Sequence, residues 1–106
     1  ASQHGAKTIV LLVNNGAYGT IRMHQEREYP QRVSGSALSN PDFCALARAY
    51  GYAAERITTT AEFEPALLRA LAAPTGTVIE VLLDADVITT RGTLAAITRQ
   101  ALLNKA

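Results

Sequence analysis

Two segments stand out as continuous apolar runs rich in β-branched residues, Thr8-Ile9-Val10-Leu11-Leu12-Val13 and Thr77-Val78-Ile79-Glu80-Val81-Leu82-Leu83. Neither alternates polar with apolar positions as a half-buried strand does. Such runs predict strands covered on both faces, as in a parallel sheet under helices. A weaker run over residues 52–57 predicts a third strand. Between the strands the period changes. Residues 17–29 fit a helix with Tyr18, Ile21 and Gln25 on one face and Arg22, Glu26 and Tyr29 on the neighbouring one, ended by Pro30. Asn40-Pro41-Asp42-Phe43 reads as a helix start, with Asn40 as cap, Pro41 at the first helical position and Asp42 at the positive dipole end. Phe43, Leu46, Ala47 and Tyr50 form its predicted buried stripe, and Gly51 its left-handed cap. Thr59 and Glu62 have capping-box spacing ahead of a helix with Phe63, Leu67 and Leu71 along one face. Pro65 is awkward if that helix begins at Ala61, so a later start or a kink is expected. A last helix covers residues 92–103, with Leu94, Ile97 and Ala101 on one face.

The predicted order is β-α-α-β-α-β-α. Alternating strands and helices imply right-handed crossovers. The expected fold is α/β, three-layer, a mostly parallel sheet with flanking helices, in a single domain over residues 1–106. Three strands are few for a sheet of this kind, and the strand over residues 9–13 has two faces and two edges to cover. The pattern therefore predicts either a truncated piece of a larger fold or assembly through an exposed edge or face. Residues 31–40, with Ser34, Gly35, Ser36 and Ser39, form a loop, either a lid or linker-like surface. Residues 1–6 are small, polar and expected to be flexible.

Composition narrows the function classes. A chain of 106 residues with 48% hydrophobic residues folds as a globular domain. Its net charge is +1 and no basic run is long enough to argue for nucleic acid or an anionic membrane surface. The longest apolar run is far too short to span a bilayer. The single cysteine, Cys44, has no internal disulfide partner and reads as a small core residue on its helix, which fits a reducing, cytoplasmic setting. The chain has no G-x-G-x-x-G, no P-loop glycine-lysine motif and no G-x-S-x-G elbow.

The stretch around which the rest is organised is Val13-Asn14-Asn15-Gly16-Ala17-Tyr18-Gly19, where a strand ends and a helix begins. Ligands in parallel α/β sheets sit outside the carboxyl ends of strands, and helix N-termini offer free N–H groups to anions. Asn-Gly is also a common turn dipeptide, so the residues alone leave a tight turn and a phosphate-and-metal seat both open. Gly19 near the helix start suggests a close backbone approach.

NNGAYGTIR from Asn14 to Arg22, NPDFCALARAYG from Asn40 to Gly51, GTVIEVLLD from Gly76 to Asp84 and ITTRGTL from Ile88 to Leu94 together resemble the C-terminal, diphosphate-binding domain of thiamine-diphosphate-dependent enzymes. The chain is similar to members like acetolactate synthase and benzoylformate decarboxylase. The resemblance covers nearly the whole chain from Lys7. The family also carries a Gly-Asp-Gly element upstream of its Asn-Asn pair, and that element does not occur in this sequence. The resemblance thus implies the C-terminal part of a thiamine-diphosphate-binding domain, without its Gly-Asp-Gly half.

By that resemblance, Asn15 gives its side-chain oxygen and Ala17 its backbone carbonyl to Mg²⁺. Gly16, Ala17, Tyr18, Gly19 and Ile21 are implied to face the cofactor, with the N–H groups of Gly19 and Tyr18 toward the diphosphate and Ile21 toward the thiamine side. Asn14 is expected to hold the turn. Mg²⁺ takes oxygen ligands and usually binds through few protein groups plus phosphates and water, so loss of the Asp ligand implies weak or absent binding by this chain alone. No catalytic residue is implied here. The cofactor does the carbon chemistry, decarboxylation or carboligation of a small 2-keto acid, and the activating glutamate belongs to another domain of a neighbouring subunit. The implied partners are the remainder of the parent chain and a homo-oligomer. A non-catalytic binding or oligomerisation module of the same fold is the alternative.

Other polar residues read more plainly. Arg22, His24 and Gln25 follow the loop and are candidates to line an entrance, with His24 reading as a surface histidine. Glu26, Arg27, Glu28 and Arg32 read as a solvated face. Glu80 is expected to satisfy a local partner in its strand, and Asp84 and Asp86 read as ordinary turn residues.

Overall fold

The computed structural model describes residues 1–105. After a 3-10 turn at Ser2–His4 come β1 (Ile9–Asn14), α1 (Gly19–Glu28), α2 (Phe43–Ala49), β2 (Ala53–Ile57), α3 (Thr60–Ala72), β3 (Thr77–Leu82), β4 (Val87–Thr89), β5 (Gly92–Thr93) and α4 (Leu94–Lys105). The elements fall into two compact units, one of Ala1–Asn14 with Asn40–Leu82, the other of Asn15–Ser39 with the segment from Leu83.

The first unit is a three-stranded parallel sheet in the order β1-β3-β2. Ile79 at its centre pairs in register with Leu11 on one side and Glu55 on the other. Parallel neighbours in register share a face. Thr77, Ile79 and Val81 therefore lie on one face with Ile9 and Ile57, and Val78 and Glu80 lie on the other. Ile57, Ala66, Ala70 and Ile79 form the core there, with Ile9, Phe63 and Val81 packed against them. α3 thus covers the first face, and α2 brings Cys44 to Glu80 on the second. Helix, sheet and helix make the three-layer α/β arrangement that the strand runs predict.

The expectation that the first strand is covered on both faces fails. Val10, Leu11 and Val13 are 40%, 49% and 63% exposed. With only three strands, β1 is an edge, and α2 and α3 reach β2 and β3 better than they reach it. The buried stripe proposed for α2 also changes. Cys44 and Ala47 are buried, whereas Leu46 and Tyr50 are exposed. They line, with Phe43, Val10, Leu12 and Val78, an apolar groove of about 300 Å³. On α3 the small residues Ala66 and Ala70 are buried with Phe63 packed beside them, while Leu71 is exposed.

Helix ends follow local chemistry. Asp42, not Asn40, caps α2: its Oδ1 accepts from Ala45 N at 2.9 Å. The residue before a proline is biased toward extended backbone, so Asn40 stays outside the helix and its amide is used elsewhere. The Thr59–Glu62 capping box is present. α3 nevertheless begins at Thr60, earlier than expected, and carries Pro65 inside it. Only one helical bond is forfeited, the one Pro65 would make to Ala61 in the exposed first turn. Gly51 adopts φ 81° after α2, as expected. Residues 1–6 are held rather than loose: Ser2 Oγ donates to Tyr50 O and the Tyr52 hydroxyl to Ala6 O.

The second unit packs α1 against α4 and adds the antiparallel β4–β5 hairpin, which the sequence pattern did not announce. Two- and three-residue strands carry too little period to be read. α4 begins at Leu94 and is capped by its neighbour Thr93, whose Oγ1 accepts from Ala96 N at 3.2 Å, and by Asp86, whose Oδ1 accepts from Ala95 N at 2.8 Å and whose O accepts from Leu94 N at 2.9 Å. Ala101 is buried on the face that carries Leu94 and Ile97, as predicted.

The largest departure in this unit is Glu26. Placed on a solvated face by sequence, it is 2% exposed. Arg22 Nη2 lies 2.7 Å from its Oε1, and its Oε2 accepts from the Thr98 hydroxyl at 2.7 Å and Gln31 N at 2.9 Å. Burial works against its charge, but the Gln31 amide, the Thr98 hydroxyl and Arg22 outweigh it and hold the carboxyl below its ordinary range.

Candidate functional site

The Asn15–Gly19 loop is built by its own side chains and backbone. Asn15 Oδ1 accepts from Ala17 N at 3.2 Å, an Asx turn. Gly16 has φ 66°, a left-handed backbone that glycine adopts without strain. Gly16 O accepts from Leu38 N at 2.9 Å, Ser36 O accepts from Tyr18 N at 2.8 Å, and Ala17 bridges Ala37. Buried Ser36 thus fastens the loop to the returning segment. Asn14 was expected to hold the turn. Asn15 closes the Asx turn, and Asn14 is also bound to β3, its Nδ2 donating to Glu80 Oε1 at 2.7 Å.

α1 opens without a side-chain cap, and its first helical bond runs from Arg22 N to Tyr18 O at 2.9 Å. The N–H groups of Gly19, Thr20 and Ile21 therefore lie in the first turn, where a helix has no acceptor of its own. The Tyr18 N–H is committed to Ser36, so the helix offers Gly19 and its two successors rather than Tyr18. Sequence reasoning had not named Thr20; the signal available was the uncapped helix start.

Gly19 is where the backbone is approached most closely. A Cβ there would lie 2.6 Å from Ile88 Cδ1 and 2.8 Å from Asn15 Nδ2. A bare backbone with unpaired N–H groups, beside an amide oxygen and a turn carbonyl, suits an anion with a hard cation. Asn15 Oδ1 keeps a second lone pair beyond its bond to Ala17 N. Both oxygens are neutral, and among the described residues no group of three or more His, Cys, Asp or Glu is placed to hold a metal ion. The residues present therefore fit a partial ligand set, one that a diphosphate completes. Tyr18 and Ile21 are each 53% exposed beside it.

The remaining candidates are not gathered at the loop. Arg22 is turned into the ion pair with Glu26, and Gln25 Nε2 donates to Ser34 O, so neither stands free to line an entrance. His24 is exposed. In the first unit, Glu80 is 1% exposed and has local partners, as expected: Asn14, Arg56 Nε at 2.7 Å and the Cys44 thiol at 3.7 Å. Burial opposes its charge, but the bonds from Asn14 and Arg56 win and keep the carboxyl low. Burial first, and Glu80 second, push the Cys44 thiol up, so it is a core group rather than a nucleophile. Asp84 Oδ1 accepts from Asp86 N, and the pair shapes a turn. No helix among the described residues is long and apolar enough to cross a membrane.

Residues 1–81 match the family model described as thiamine pyrophosphate enzyme, C-terminal TPP binding domain. The chain is 40% identical over 80 residues to the acetolactate synthase large subunit of Parasynechococcus marenigrum (strain WH8102), covering 74% of this chain and 13% of that protein. It is 36% identical over 81 residues to the benzoylformate decarboxylase of Pseudomonas aeruginosa, covering 76% of this chain and 15% of that protein. The chain thus spans about an eighth to a seventh of the length of these relatives. On that match and these identities, the chain belongs to the thiamine pyrophosphate enzymes, in their C-terminal TPP binding domain.

Proposed function

We propose that this chain supplies the metal and diphosphate contacts of a thiamine-diphosphate- and Mg²⁺-dependent enzyme acting on small 2-keto acids, by decarboxylation or carboligation. Asn15 Oδ1 and the Ala17 carbonyl are the metal's protein ligands. Gly16 and Gly19, with the first-turn N–H groups of α1, hold the diphosphate, and Tyr18 and Ile21 flank the thiamine side. When bound, the cofactor supplies a carbon nucleophile and a sink for the carbanion left by decarboxylation. The chain's own part is to bind and orient.

The observation that carries this reading is the uncapped start of α1 beside Gly19, whose Cβ position is already taken by Ile88 and Asn15. The names of the two relatives support the 2-keto acid class. The whole chain acts as one domain within a longer enzyme that assembles as a homo-oligomer, and by itself it is catalytically inactive because two neutral oxygens are a poor metal site. The buried Cys44 thiol supports a reducing, cytoplasmic setting.

A second reading, a non-catalytic assembly module, is favoured by the exposed strand β1. Calorimetric titration of thiamine diphosphate into the chain, with and without Mg²⁺, separates the two. Weak uptake that needs Mg²⁺ and disappears in Asn15→Ala supports the cofactor reading. Uptake indifferent to Mg²⁺ and to Asn15→Ala sinks it in favour of the module.

A further inference from the structure

Residues 15–39 leave the first unit after Asn14 and rejoin it at Asn40. These two residues are bonded to each other side chain to side chain, Asn40 Nδ2 donating to Asn14 Oδ1 at 2.9 Å. Behind them lies Glu80, on the central strand and 1% exposed. We propose that Glu80 and Asn40 are positioning residues for the cofactor loop, acting through Asn14 as a clasp at the base of the excursion that carries it.

The chemistry of the three groups leaves one arrangement. An ionised carboxylate only accepts hydrogen bonds. Arg56 Nε and the Cys44 thiol take Oε2, which leaves Oε1 to Asn14. Asn14 must then present its NH₂ to Glu80, and its oxygen must face away. That oxygen only accepts, so Asn40 must donate. The charge on Glu80 thus sets the orientation of both amides, and a chain of charge-assisted and neutral bonds runs from the sheet centre to both ends of the excursion. Packing alone does not call for this. An apolar side chain of similar volume under α2 stabilises a sheet as well as a buried ion pair does. What the carboxylate adds is direction: it fixes the end of β1, and Asn15 is the next residue.

The inference rests on the cofactor reading above, so its test has a readout that needs no cofactor. Amide hydrogen exchange is followed by NMR in the chain and in Asn40→Ala, Asn40→Asp and Glu80→Gln. Asn40 is exposed, so its replacement spares the core. Asn40→Asp keeps the shape but replaces the donor with a charged acceptor, whereas Asn40→Ala removes the donor without adding charge. The amides of Tyr18 and Leu38, bonded to Ser36 and Gly16, report the loop, and Ile79 reports the sheet. The clasp predicts about tenfold faster exchange at Tyr18 and Leu38 in both Asn40 variants and in Glu80→Gln, with Ile79 within about twofold for the Asn40 pair. It also predicts about tenfold weaker uptake of thiamine diphosphate with Mg²⁺. Unchanged exchange at Tyr18 and Leu38 in both Asn40 variants, or an equal rise at Ile79, overturns it. Loop exchange that responds while cofactor uptake is indifferent to Mg²⁺ and to Asn15→Ala keeps the positioning role and removes the proposed function.

Discussion

Gly19 and Ile88 are so close that a side chain on Gly19 must displace a neighbour: a Cβ there would lie 2.6 Å from Ile88 Cδ1 and 2.8 Å from Asn15 Nδ2. Both atoms end side chains that can turn aside, so overpacking by one methyl costs about 1 kcal/mol. The better helix propensity of alanine offsets about as much. Gly19→Ala is therefore expected to melt within a few degrees of the parent chain. The displaced amide is that of Asn15, so uptake of thiamine diphosphate with Mg²⁺ falls by about tenfold. Adding Ile88→Ala relieves one contact and leaves the other, and restores binding only in part. Calorimetry on the three proteins checks this; equal affinity in all of them contradicts it.

Glu26 joins α1, α4 and the turn at Gln31 through one carboxylate. Removing it in Glu26→Ala leaves Arg22 without its partner, and Arg22 Nη1 is already buried with no acceptor. Breaking a buried pair this way costs about 3 kcal/mol, reduced toward about 2 by the partial exposure of Arg22. Urea denaturation should show that loss, and Glu26→Gln, which keeps the shape and one accepting oxygen, should lose less.

Acid stability follows from the same groups. The carboxyls of Glu26 and Glu80 are both held below their ordinary range in the fold. A carboxylate depressed on folding contributes its stability fully above the unfolded value, about 4.3 for glutamate. That contribution is lost as pH falls from there through the folded values. Urea midpoints should therefore be flat from neutrality down to about pH 5 and decline below it. The double variant Glu26→Gln/Glu80→Gln starts lower at pH 7 and should decline less steeply in acid.

Pro65 forfeits a helical bond inside α3. Proline in a helix interior is about 3 kcal/mol worse than alanine. Its stiffening of the unfolded chain returns up to about 1 kcal/mol, and the site lies near the exposed first turn. Pro65→Ala is expected to stabilise the chain by about 1–2 kcal/mol, seen as a higher melting temperature. A lower one would mean that the proline shapes the helix start.

The candidate loop was legible because its signals are local. An apolar run that stops at two amides and two glycines marks a strand-to-helix junction from neighbouring residues alone. So do the Thr59–Glu62 capping box and Gly51 after α2. Which residue carries which bond was less legible. The Asn14 and Asn15 side chains are chemically identical, and their separate tasks depend on Glu80, which is 66 residues away from Asn14 in the chain. The hairpin at β4 and β5 was missed because strands this short carry no period, although its string, ITTRGTL, was one of the four behind the resemblance.

What the sequence determined by itself was the class of fold, the order of its elements apart from the β4–β5 hairpin, and the loop, since strand runs, caps and turn residues act within a few positions of themselves. Tertiary structure alone decided burial and partners. Val13 and Leu71 are exposed and Glu26 and Glu80 are buried, the reverse of what side-chain polarity suggests. A strand's cover depends on how many neighbours and helices reach it, and a carboxylate can leave water only where Arg22, Thr98, Arg56 or Asn14 arrives from a distant part of the chain to meet it.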